Sequence, residues 1–217
     1  MANISIQRAL IMLKTLSSRI EEEINKSTFC EIKKKNSKTI NSKYNVEEFS
    51  KSAQSSRDKI FQMIEQYREI KFKVALSNAG VTQEMIPNLV TVPFMKKECT
   101  LIEIIENKSL IPLLEKLYST ISNSYSNIFN KVEQRNQTAE ITADKYVIDL
   151  FGSKDATNQQ VNETKTTYIA NNTYELVDPL NVQEILTALK EEINCYKQDC
   201  DIILSEQNAI RKIDIED

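Results

Sequence analysis

VEEFSKSAQSSRDKIFQMIEQYREIKFKVALS, residues 46–77, decides the fold. Stepping through it by three and four meets Val46, Phe49, Ala53, Ser56, Ile60, Met63, Tyr67, Ile70, Val74 and Ser77. This is one narrow apolar seam without a slip, the spacing of a coiled coil. A seam that narrow needs a partner, so the stretch predicts a long helix lying against another helix.

Three more stretches repeat the pattern. A first helix is expected over about residues 5–25, with Ile6, Leu10, Leu13, Ile20 and Ile24 on one face, Ser17 in the missing place, and Ala9 and Leu16 widening the stripe. A third is opened by Thr100 and Glu103, a T-x-x-E capping box. It continues through Ile104, Ile111, Leu114, Tyr118, Ile121, Tyr125, Ile128 and Val132, and more weakly through Ala139 and Tyr146 to Gly152. Pro112 lacks an amide donor and is expected to break it near Lys108. The last helix follows Pro179, is capped by Asn181 and Glu184, and carries Val182, Leu186, Leu189, Ile193, Tyr196, Cys200 and Ile203.

Between these helices, residues 27–45 and 153–172 lack periodicity and read as loops; the first is basic at Lys33, Lys34 and Lys35, and Phe29, Ile32 and Ile40 also allow a short hairpin there. Leu89 to Val92, between Pro87 and Pro93, reads as a short extended piece, beside which residues 209–215 are expected to add a strand. The predicted fold is mainly α: an antiparallel long-helix bundle or coiled-coil hairpins with a small β element at the connections. No linker is evident, so residues 1–217 are expected to form a single helical domain.

Composition narrows the chemistry. With 41% hydrophobic and 27% charged residues but only 2 glycines and 4 prolines, the chain lacks the turn residues of a many-stranded β fold. Absence of histidine removes the commonest general base and metal ligand. Gly80 and Gly152 are the only glycines, so neither a Walker loop nor a dinucleotide fingerprint can be written. No catalytic motif, metal site or cofactor is expected. The net charge of −3 is small and interleaved, which argues against nucleic acid and anionic membranes as partners. No apolar run approaches membrane-spanning length and the amino terminus has no h-region with a cleavage site, so the expected location is the cytoplasm. Cys30, Cys99, Cys195 and Cys200 form no CxxC pair. On a regular helix Cys195 and Cys200 would point roughly 140° apart, so all four are expected to act as small apolar residues in a reducing compartment.

Candidate ligand groups are the cations of the second helix. Arg57, Arg68 and Lys71 ride on or beside its seam with Tyr67 and Phe72 interleaved. They serve either interhelical salt bridges or a slot for an anionic ligand with a ring to stack, such as a nucleotide. Arg19 and Arg135, single arginines on other helices, allow the same two readings. Ser77 and Asn78, just before Gly80, read as a helix terminus or as polar ligand contacts. Glu21, Glu22 and Glu23, like Asp199 and Asp201, read as solvated faces, and the lysine run at residues 33–35 as a solvated loop.

Several blocks together resemble the septicolysin-like family of small helical proteins from bacteria and phages. They are Ala9-Leu10 with Leu13, Leu16, Arg19 and Ile20; Ile70-Lys71 with Ser77-Asn78-Ala79; Val177-Asp178-Pro179-Leu180-Asn181; and Leu204-Ser205-Glu206 with Asn208-Ala209. The resemblance implies a helical fold and makes a phage-encoded role concrete. The expected function is a non-catalytic homo-oligomer that sequesters a small anionic, nucleotide-type signal as an anti-defence sponge in the host cytoplasm. The alternative is a structural or interaction protein, such as a phage assembly, virion or adaptor component, whose seams bind other helices without a small ligand.

Overall fold

A computed structural model describes residues 4–40, 43–82, 84–152 and 157–210. Helix α1, Ile6–Lys26, begins where the Ser5 hydroxyl accepts the Arg8 amide at 3.3 Å. Three short strands follow, β1 (Glu31–Lys34), β2 (Thr39–Ile40) and β3 (Tyr44–Asn45). They occupy residues that read as a loop, and β2 pairs antiparallel with β3. Helix α2, Val46–Asn78, starts with a reciprocal box: the Asn45 side chain accepts the Glu48 amide at 2.8 Å and Glu48 accepts the Asn45 amide at 3.0 Å. It ends at Gly80, whose φ of 68° lets the Val81 amide turn back to the Leu76 carbonyl.

Strands β4 (Thr91–Phe94) and β5 (Lys97–Thr100) form an antiparallel hairpin, so the Thr91 strand is completed by its neighbour in sequence. The tip places Met95 and Lys96 at φ 49° and 63°, a left-handed conformation costing on the order of 1–2 kcal/mol per non-glycine residue. Helix α3, Leu101–Lys108, is capped by Thr100, and the chain breaks before α4, Ile111–Phe151. Pro112 is the second residue of α4, where an amide has no intrahelical acceptor to lose.

Helix α5, Asn158–Asn172, replaces most of the loop read at residues 153–172; residues 153–156 lie outside the described ones. Its capping box, Thr157 with Gln160, is written in the sequence, but no residue of α5 is fully buried. Val161, Thr164, Lys165, Tyr168 and Ile169 are half-buried at helical spacing, a stripe whose Thr and Lys hide it from an apolar count. Strand β6, Tyr174–Val177, pairs antiparallel with β1, Ile32 opposite Leu176. That partner is far away in sequence, beyond the reach of local periodicity. Helix α6, Val182–Asn194, receives its cap from the Asp178 carboxylate, which accepts the Val182 amide at 3.0 Å, while Asn181 adopts φ 51°. A π turn at Cys195–Asp199 leads into α7, Cys200–Ile210. Ala209 and Ile210 therefore end a helix instead of starting a strand, and residues 211–215 lie outside the described ones.

Contacts divide the chain into two compact units, a division that the linker-free sequence does not announce. The first comprises Met1–Ser27, Asp58–Thr120 and Gln183–Asp217, the second Thr28–Arg57 and Ile121–Val182. In the first, Leu13, Ile20 and Ile24 of α1 are buried, as are Ile60, Ile64 and Leu76 of α2, Leu113, Leu114 and Leu117 of α4, and Leu186, Leu189 and Ile193 of α6. Ion pairs flank them. Lys59 meets Glu23 at 2.6 Å and Lys116 meets Glu21, which sets α2 and α4 beside α1. A second cluster packs Val92, Phe94 and Cys99 of the hairpin with Ile104, Tyr196 and Cys200. In the second unit Phe29, Cys30, Ile32, Ile40, Phe49, Ala53, Ile121, Ala139, Ala143 and Val147 are buried.

The seam of α2 is only partly the buried line. Phe49, Ala53 and Ile60 are buried, whereas Met63, Tyr67, Ile70 and Val74 are half-buried and Ser77 is exposed. From Arg68 onward a second line, Arg68, Phe72 and Leu76, lies about 100° round the helix from Tyr67 and Lys71. This half of α2 therefore has neighbours on two faces.

Leu117, fully buried, is expected to cost about 2–5 kcal/mol as Leu117→Ala in urea unfolding. Pro112→Ala should change stability by less than ~1 kcal/mol; a gain near ~3 kcal/mol would place the proline inside a helix instead of at its start.

Candidate functional site

In the second unit, α4, α5 and β6 border an open surface groove of about 380 Å³ lined by Gln134, Arg135, Thr138, Ala139 and Thr142 of α4 with Tyr168, Asn172 and Tyr174. Asn136 fixes one wall. Its side chain donates to the Tyr174 carbonyl at 3.0 Å and accepts the Tyr174 amide at 2.8 Å, so β6 is held to α4 as though by a paired strand. Tyr168 stacks on Tyr146 at 4.8 Å between ring centroids, and Lys165 pairs with Asp144, which ties α5 to α4.

Arg135 lies over the Tyr174 ring at 4.7 Å. Among the described residues no carboxylate lines the groove. Lys34 adds a positive charge close by, donating to the Asn172 side chain at 3.3 Å. The groove thus offers a guanidinium, two phenol rings, amides and hydroxyls, with a positive balance.

The other candidate residues do not join it. Arg57 belongs to the second unit and is half-buried on α2, without lining the groove. Arg19, Arg68, Lys71, Ser77 and Asn78 belong to the first unit. Arg19, Ser77 and Asn78 are exposed, the last two just ahead of the Gly80 turn. Lys71 reaches the Ser109 hydroxyl and lies 3.5 Å from Glu106. Arg68 is held by Glu192 and by Glu65, the latter at 2.7 Å. Burial opposes the Arg68 charge, and the two carboxylates more than restore it, so its pKa stands above the ordinary value. Both cations serve helix pairing.

Arg68 also lines a cavity of about 320 Å³ in the first unit, with Phe72, Phe94 and Tyr196 as its aromatic walls. Tyr196 comes from the π turn, whose widened ladder carries the Cys200 amide back to the Cys195 carbonyl. The regular-helix angle between Cys195 and Cys200 therefore does not apply. All four cysteines are free, and only Cys195 is not fully buried. Burial chiefly pushes the Cys30 thiol from 9.0 up to about 12, and the Tyr196 phenol from 10.0 up to about 12. No group of Cys, Asp and Glu among the described residues is arranged to hold a metal ion, and no described helix is long and apolar enough to cross a membrane.

Tyr168, Asn172 and Tyr174 were not singled out by sequence because they fall in or beside the stretch that reads as a loop. The Thr157–Gln160 box was the signal that could have placed them. Comparison with protein-family models, with curated proteins and with solved structures gave no match.

Tyr196 makes stability fall at alkaline pH. Below pH 10 the phenol is neutral in both states; between 10 and about 12 the unfolded chain releases a proton that the folded chain keeps. Unfolding free energies from urea titration should therefore drop between pH 9.5 and about 11.5 by on the order of 2 kcal/mol more in the wild type than in Tyr196→Phe. Equal drops would contradict the burial of this phenol.

Proposed function

We propose that the chain is a non-catalytic binding protein whose ligand is a small anion bearing a flat ring, of the nucleotide class, seated in the Arg135 groove. The observation that carries this reading is the union of Arg135 and two tyrosines in a groove that no carboxylate among the described residues lines. A guanidinium can grip a phosphate through two parallel N–H donors, and a phenol ring offers a stacking face to a base. Gln134, Thr138 and Thr142 add hydrogen-bonding groups for ring and ribose edges. Binding of this kind uses fixed donors and rings and needs no general base. Sequestration of a nucleotide signal is the role we assign to it, and the resemblance to a phage-borne family supports a sponge acting as a homo-oligomer in the host cytoplasm.

A second reading is favoured by α1. Its stripe is buried from Leu13 onward, yet Ile6 and Leu10 on the same stripe are 39% and 52% exposed, with Ile11 and Met12 beside them. An apolar stripe left in water at one end suits an interaction protein, whose partner helix would cover it.

Titration calorimetry of the full chain with cyclic dinucleotides, ADP-ribose and AMP tests the first reading. One class should give saturable heat that Arg135→Ala weakens at least tenfold, a loss of about 1.4 kcal/mol or more. Silence from all of them would remove it. Light scattering tests the second: an oligomer that Leu10→Lys dissociates supports self-association through α1, and an unchanged mass speaks against it.

A further inference from the structure

We propose that the cavity of the first unit binds a small organic cation of the alkylammonium class, independently of the groove around Arg135. Charge decides the sign. Glu65, Glu69, Glu103 and Glu192 line the cavity with Arg68 and Lys97, four carboxylates against two cations, and Glu69 lies 3.9 Å from Lys73. Arg68 is a poor anion receptor here: Glu65 and Glu192 hold its two terminal nitrogens and would repel an incoming phosphate or carboxylate, and its Nε, the donor left over, is buried. Glu103 is the carboxylate best placed for a ligand. It is half-buried, its amide is committed to the Thr100 cap, and its side chain forms no salt bridge among the described residues.

The walls supply the second half of the recognition. Phe72, Phe94 and Tyr196 converge on the cavity, with Phe94 and Tyr196 packed at 5.2 Å between centroids and tilted by 45°. Phe94 and Tyr196 are otherwise buried in the hairpin cluster and line the cavity with what remains accessible, and ring faces attract an ammonium whose methyl or methylene groups also shed water on entering. Tyr196 remains a neutral phenol, so its ring keeps this character throughout the physiological range. Two unusual backbone features build the same cavity: the π turn that delivers Tyr196, and the left-handed hairpin tip that holds Met95 at the rim. The volume of about 320 Å³ admits a head group with a short tail.

Titration of the full chain with choline chloride, against sodium chloride at equal ionic strength, tests the proposal. Saturable binding is expected, weakened at least tenfold by Glu103→Gln and by Phe72→Leu and unaltered by Arg135→Ala. Thermal unfolding of each variant identifies any that fails to fold, and Glu103→Gln, which keeps the Thr100 cap, then decides alone. No saturable heat beyond the sodium blank, or equal affinity in wild type and Glu103→Gln, overturns it. Because the ligand, the unit and the variants differ from those of the nucleotide reading, either can fail without the other.

Discussion

Burial of an apolar line on each long helix is the constraint on which everything else depends. Each fully buried Leu or Ile contributes about 1.5–3 kcal/mol, and α1, α2, α4 and α6 carry several apiece. A surface ion pair contributes about 0–1 kcal/mol. Lys59–Glu23 and Lys116–Glu21 therefore do not hold the first unit together; they select which helix faces which once the apolar lines have found partners. The narrowness of those lines leaves the flanks of every helix to charge.

How that charge is spent determines where a ligand can go. In the first unit the half-buried cations Arg68 and Lys71 are neutralised, the first by two glutamates and the second by Glu106, and exposed Lys197 pairs with Glu115 at 2.5 Å. What remains around Arg68 is an excess of carboxylate. In the second unit Arg135 has a ring below it where a carboxylate could have been. Two hollows of similar size thus carry opposite signs, and a single class of ligand could not suit both.

The helices were legible because their apolar side chains recur at fixed spacing, and their ends because Ser5, Thr100, Gly80 and Gly152 are residues with a physical reason to stand there. Pro112 was legible as a break for the same reason. Two things were not. Strand β1 finds its partner in β6, and no local pattern encodes a pairing so distant in sequence. Helix α5 half-buries Thr164 and Lys165 where a hydrophobic reading expects Leu, so its stripe was silent. The candidate site suffered accordingly: Arg135 could be named, but Tyr168 and Tyr174, which complete its groove, depend on those two unseen elements. The charged face of α2 misled in the other direction. Arg68 and Lys71 had the chemistry of a binding site, and only their partners reveal that it is already used.

Amide hydrogen exchange read by mass spectrometry tests the dependence on buried lines most directly, since protection follows the free energy of opening each segment. Peptides over residues 113–121 and 60–64 should exchange slowest, and those over residues 6–12, where the α1 stripe is uncovered, among the fastest of the helical ones. Exchange over residues 113–121 as rapid as over 6–12 would contradict the account.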